Sequence, residues 1–259
     1  MLDHNSKIVV FDLDETLGYF VELGMFISSI ETILNIEIDD DEFIRILDLY
    51  PEFLRPKIMK ILNRIKNNKT RNNNTKVMIY TNNQGSKDWI IKIKKYFEYK
   101  LNYKLFDQII AAFKIQGKQI EPNRTTHNKT FTDFMRCTKL PKDTQIFFID
   151  DQYHPQMEHP NVYYVNIKPY YYSLPFQEMI ERYYTYKNMQ IDKTQFTSEV
   201  TKLMEAYNMP MSVKNEEELK VDTIVTKYIL RHLDEYFDTK SKSPTIKNRT
   251  LVKKTRRLK

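Results

Sequence analysis

Short apolar runs alternate with amphipathic stretches along the first two thirds of this chain. Ile8-Val9-Val10-Phe11, within residues 7–13, is β-branched and aromatic, has no helical period and runs into Asp12. Such a run predicts a strand buried on both faces. The same signature recurs at Val77-Met78-Ile79-Tyr80 (residues 76–81), at Ile146-Phe147-Phe148-Ile149 (144–149) and over residues 161–167. A fifth strand is expected within residues 105–112, where Ile109-Ile110-Ala111-Ala112 follows a polar loop. Between these runs, apolar residues fall at helical spacing over residues 57–66, 87–99 and 129–137, with Pro56 where a first helical turn tolerates it. The Asn-rich segment 67–74 reads as a polar loop. Strands alternating with helices predict an α/β fold, a parallel sheet with helices on both faces.

Residues 18–54 are too many for a plain loop. They predict a hairpin flap near 18–25 and helices near 26–34 and 41–50, an insertion able to cover a site and exclude water. This stretch carries nine acids and one base, Arg45. As a lid it would disfavour polyanions and tolerate a basic or neutral partner. Equally, Asp39-Asp40-Asp41-Glu42 can cap a helix and face water. Past Pro175 the pattern is wholly helical: Phe196, Val200, Leu203 and Tyr207 share one face, and Leu219, Ile224, Val225, Tyr228, Ile229 and Leu233 mark another. The expected organisation is a catalytic core over 1–172, a helical extension over 173–239 and an aperiodic tail over 240–259.

Composition narrows the function. The net charge of +7 belongs to the tail, which holds nine Lys/Arg and no acid; without it the body is −2. Weak contact with nucleic acid or an acidic partner is therefore expected only through the tail, whose Lys253-Lys254-Thr255-Arg256-Arg257 also suits an import signal. The four glycines form neither G-x-G-x-x-G nor a P-loop, which excludes the common Gly-rich phosphate cradles. The single cysteine, Cys137, excludes an intrachain disulfide and fits a reducing, intracellular location, cytoplasmic or nuclear. No run of about 18 apolar residues is present, so no membrane span is expected. His154 and His159, beside Pro155 and Pro160, read as turn packing, Cys137 as core, and Tyr170-Tyr171-Tyr172 as a packing element where core meets extension.

Three strands end in chemistry-bearing residues: Asp12-Leu13-Asp14-Glu15-Thr16 after the first, Thr81-Asn82-Asn83 after the second, Asp150-Asp151 after the third. Ligands of open α/β sheets bind outside the carboxyl ends of the strands, so these clusters should converge on one crevice. Four carboxylates there would repel one another. A hard divalent cation offsets that repulsion, and an all-oxygen ligand set suits Mg²⁺.

The stretch Asp12-Leu-Asp-Glu-Thr-Leu17 resembles the first motif of the haloacid dehalogenase superfamily. Thr81 looks like its second motif, Lys129 like its third and Asp150-Asp151 like its fourth. Within the superfamily the first motif is most similar to the NLI-interacting-factor-like phosphatases that act on the RNA polymerase II C-terminal domain, and Arg55-Pro56 also resembles that branch. The chain departs from it after the motif, continuing Gly18-Tyr19-Phe20. The resemblance covers residues 5–170 and implies a Mg²⁺-dependent phosphomonoester hydrolase, acting on phosphoserine or phosphothreonine in protein or on a small phosphomonoester or nucleotide. It implies Asp12 as nucleophile and Asp14 as general acid and base. It implies metal ligation by Asp12, the carbonyl of Asp14, Asp150 and Asp151. Thr81 and the backbone N–H of Asn82 would hold phosphoryl oxygens, and Lys129 would neutralise charge, with Lys118, Lys139 and Lys142 as rivals. Thr16 would brace the turn on the substrate side, Arg55 is a candidate for touching substrate, and His127 for lining the site.

Overall fold

The computed structural model describes residues 6–212 and 214–238. Five parallel strands, β1 (Lys7–Phe11), β2 (Thr75–Tyr80), β3 (Gln108–Ile110), β6 (Gln145–Asp150) and β7 (Val162–Asn166), form one sheet in the order β3-β2-β1-β6-β7. A two-stranded hairpin, β4 (Lys114–Ile115) and β5 (Lys118–Gln119), stands apart from it. Its turn places Gln116 and Gly117 at φ of 49° and 79°, the left-handed pair that a tight hairpin requires. The register sets Phe11 beside Ile79 and Ile149, so β1, β2 and β6 end level.

Strand side chains alternate between two apolar layers. Val9, Phe11, Val77, Ile79, Phe147 and Ile149 enter the larger layer. It is covered by α3 (Ile58–Arg71), α4 (Lys87–Leu101) and α8 (Glu216–Asp238). Ile8, Val10, Met78, Tyr80, Ile146 and Phe148 enter the smaller layer, where α5 (Phe131–Thr138) contributes Phe134 and Cys137. Burial on both faces is why the strands read as unbroken apolar runs. The larger layer continues into α1 (Val21–Leu34), α2 (Asp40–Leu49), α6 (Phe176–Lys187) and α7 (Lys193–Ala206), where Phe26, Tyr50, Tyr183 and Phe196 meet. The apolar core therefore runs without a break from the sheet into the extension.

Two expectations change. The hairpin flap near residues 18–25 is absent: α1 begins at Val21 and includes Gly24. A Cβ on Gly24 would stand 3.3 Å from the Trp89 indole, so this glycine permits close packing rather than a turn. Gly18 does act as a constriction, since a Cβ there would lie 2.5 Å from the Phe53 carbonyl. The polar loop 67–74 is shorter than expected, because α3 continues to Arg71. Five of the nine acids of 18–54 are engaged in a helix cap or in ion pairs. Asp39 caps α2, Asp40 pairs with Lys95, Glu42 with Arg45 and Lys187, Asp48 with Lys100 and Glu52 with Arg182. Apart from the Glu42–Arg45 pair within α2, these are capping and inter-element contacts, which favours the capping alternative for these five acids. No helix of the described residues is long and apolar enough to cross a membrane.

Candidate active site

The carboxyl ends of β1, β2 and β6 bring the three polar clusters together. Asp12 follows β1 directly; its N–H donates to Ile149 O of β6 at 2.9 Å, which draws it toward Asp150. Lys129 lies just before α5, whose cap is the Thr130 hydroxyl accepting from Asp133 N. Its ammonium, 2% exposed, contacts the Asp12 carboxylate and donates to Asp150 Oδ2 at 2.6 Å. Carboxylate oxygens of Asp12, Asp150 and Asp151 lie within 4.8 Å of one another, a cluster that can hold a metal ion. The rivals stand elsewhere: Lys118 is on the β4–β5 hairpin and exposed, Lys139 is the left-handed C-cap of α5, and Lys142 lies exposed ahead of β6.

Burial governs the charges here. It pushes Asp12 well above the ordinary carboxylate range, Lys129 pulling against it and Asp150 and Asp151 adding to it. Burial opposes ionisation of Asp150 too, but Lys129 and His154 outweigh it and hold that carboxyl low. Lys129 stays charged despite burial because Asp12 and Asp150 flank it. Burial also raises Asp14, against the Asn83 hydrogen bond and the Lys129 charge. Glu15 is pushed up to about 7, chiefly by burial and then by Asp14 and Asp151.

The loop after β1 is held on every side. Thr16 is buried; its hydroxyl donates to Asp151 Oδ1 at 3.0 Å and accepts from Asp151 N at 3.2 Å. Glu15 adopts φ of 54°, and its carbonyl accepts from Tyr170 N at 2.9 Å. Asn166 donates its amide to the carbonyls of Asp150 and Asp151, both at 3.0 Å, which orients the second aspartate pair. Asp14 Oδ2 accepts from Asn83 Nδ2 at 2.7 Å, whereas Oδ1 is buried without a partner. Thr81 is buried, and its Oγ1 accepts from Asn83 N at 3.0 Å, leaving the hydroxyl proton for another acceptor.

Arg55 requires a correction. The sequence suggested substrate contact, but the side chain is 1% exposed, Nε and Nη2 donate to backbone, and Nη1 is buried without a hydrogen-bond partner. Nε reaches Thr16 O at 2.6 Å, and Nη2 reaches Lys168 O at 2.9 Å and Glu15 O. Arg55 therefore holds the β1 loop from behind. His127 does not line the carboxylates either; its ring packs on Phe113 at 5.4 Å. His159 stacks on Phe131 at 3.8 Å.

Two residues of the site escaped the sequence reading. Arg124, 1% exposed, donates to Thr81 O at 3.0 Å, Ala111 O at 2.8 Å and Asn82 Oδ1 at 2.7 Å. It ties the loop after β2 to the segment that delivers Lys129. His154, read as turn packing, places Nε2 3.4 Å from Asp150 Oδ2. Neither has a local motif; a buried arginine in a loop without periodicity gives no signal in one sequence. Beside Asn83 a cleft of about 610 Å³ opens between α1 and the start of α4, walled by Phe20, Met25 and Trp89. In comparisons with known proteins the chain matches no family model, and no curated protein or solved structure matches it significantly.

Proposed function

We propose that this chain is a Mg²⁺-dependent phosphomonoester hydrolase of the haloacid dehalogenase superfamily, working through an aspartyl-phosphate on Asp12 and acting on phosphoserine or phosphothreonine in protein. The observation that carries this reading is the buried Lys129 bridging Asp12 and Asp150, beside a three-aspartate cluster at the carboxyl edge of a parallel sheet.

The donors fit a hard cation: carboxylate oxygens alone, with no thiolate or imidazole in the cluster. Asp12, Asp150, Asp151 and the carbonyl of Asp14 would hold Mg²⁺, which when bound would stabilise negative charge on the phosphoryl oxygens. A carboxylate oxygen of Asp12 attacks phosphorus, and the ester P–O bond breaks. Asp14, which burial favours in its protonated form, gives its proton to the leaving oxygen. The Asn83 amide fixes Asp14 through Oδ2, so the partnerless Oδ1 is the atom for that proton. Asp14, now ionised, takes a proton from a water that attacks the phosphoryl group; the P–O bond to Asp12 breaks and inorganic phosphate leaves. The Thr81 hydroxyl and Asn82 N–H hold phosphoryl oxygens, and Lys129 offsets charge on Asp12 and on the transferring group. The tail that motivated a nucleic-acid contact, 240–259, lies outside the described residues.

The test is hydrolysis of an aryl phosphate by the purified chain with Mg²⁺ and with EDTA, beside Asp12→Asn. Activity is expected only with both the metal and Asp12. Folded protein inert under all conditions would refute a general phosphomonoesterase. Turnover of nucleotides far above that of phosphopeptides would replace the protein substrate with a small one.

A further inference from the structure

Glu15 is not needed for the chemistry above, yet it stands between Asp14 and Thr16 in the loop that carries the nucleophile. Its backbone is locked by Tyr170 N and Arg55. No hydrogen bond or ion pair engages its carboxylate among the described residues. Glu15 lines a cleft of about 420 Å³ together with Tyr19, Tyr171, Met209 and Met211. The Tyr19 and Tyr171 rings stand 5.7 Å apart at 75°, so they form two nearly perpendicular walls. No Lys or Arg lines this cleft. Glu22 is buried, accepts from Leu174 N at 2.9 Å and lies within electrostatic reach of the Tyr19 hydroxyl.

Aromatic faces at right angles, soft thioethers and one unpaired carboxylate are the elements of a site for an organic cation. We propose that this cleft receives an alkylammonium group carried by the substrate beside its phosphoryl ester. The proposal deepens the phosphatase reading and rests on it for the position of the phosphoryl group. The neighbouring groups give the reason such a group is wanted: Lys129 is taken up by Asp12 and Asp150, and the Arg55 guanidinium donates to the carbonyls of Glu15, Thr16 and Lys168, so no side-chain cation among the described residues pairs with the Glu15 carboxylate. A polar but uncharged leaving group would leave Glu15 partly buried with no partner. The same chemistry occurs in a small amino-alcohol phosphate and in a lysine flanking a phosphoserine.

The experiment is calorimetric titration of the full chain carrying Asp12→Asn, which blocks turnover, in Mg²⁺, with choline phosphate and with its uncharged isostere 3,3-dimethylbutyl phosphate. A phosphoserine peptide flanked by lysine is compared with one flanked by norleucine. The expected result is binding about tenfold tighter for the charged member of at least one pair, the scale of a cation over two rings. The pair that shows the preference names the source. Glu15→Gln should remove the preference, and Met211→Lys, at a rim position 52% exposed, should reverse it without disturbing the fold. Equal affinity within both pairs, or a preference unchanged in Glu15→Gln and Met211→Lys, would overturn the proposal. Aryl phosphate hydrolysis is measured in parallel. Hydrolysis without cation preference refutes the cleft alone, and cation preference without hydrolysis refutes the reaction alone.

Discussion

Two arginines do different work from the one that their charge suggests. Arg55 and Arg124 are both buried, and both spend their donors mainly on main-chain carbonyls of the loops that carry Asp14, Thr16, Thr81 and Asn82. Replacing Arg55 with methionine keeps its bulk but leaves the carbonyls of Glu15, Thr16 and Lys168 without that donor. Unsatisfied buried groups cost about 1–3 kcal/mol each, so Arg55→Met should lose roughly 3 kcal/mol in denaturant unfolding and lower kcat. Native stability with only KM raised would return Arg55 to the substrate side. Glu15 supplies a pH test. Its carboxyl is raised from 4.5 to about 7 in the folded chain, so its protonated form favours folding. That contribution is complete below pH 4.5 and is lost as pH rises through 7. In metal-free protein, the fall in thermal midpoint over this window should be shallower for Glu15→Gln than for the natural chain. Parallel curves would show that the burial of Glu15 has no thermodynamic consequence.

At the scale of elements, the strands were the most legible part of the sequence, for a physical reason. Two-faced burial demands apolar residues at every position, and the first polar residue then marks the carboxyl end. That is why Asp12, Thr81 and Asp150 could be placed near one edge before any contact was known. The β4–β5 hairpin was not legible, because two-residue strands carry no period. The start of α1 was misread because Gly24 resembles a turn residue until Trp89 is seen against it. The wholly helical pattern after Pro175 could be read, but its points of attachment could not. The Tyr236 hydroxyl of α8 accepts from Ile8 N at 3.0 Å and donates to Gln145 O at 2.8 Å, bridging β1 and β6 at the edge away from the site. Tyr236→Phe should therefore cost about 1–2 kcal/mol in denaturant unfolding while leaving aryl phosphate turnover unchanged. A loss of turnover without a loss of stability would place α8 in the chemistry instead.

For the whole molecule, the arrangement separates the apolar support from the aspartate cluster. The larger apolar layer holds the sheet, and Tyr170, in the segment between β7 and the helical extension, supports the loop after β1: its N–H donates to Glu15 O, and its hydroxyl donates to Glu52 O at 2.6 Å. The residues proposed to react lie at strand ends and on short loops whose backbone is pinned on several sides, which suits a site that must hold like charges close together. That convergence was partly visible from the order of motifs; the pinning was not, because it runs between residues more than a hundred positions apart, such as Thr16 with Asp151 and Arg55 with Lys168. The central claim is that Asp12 carries the phosphoryl group. The measurement that tests it most directly is acid quenching of the chain during turnover of an aryl phosphate in Mg²⁺, followed by mass spectrometry of its peptides. One phosphoryl group is expected on the peptide containing Asp12, absent in EDTA and in Asp12→Asn. Turnover that persists in Asp12→Asn, or a phosphoryl group found on another residue, would contradict it.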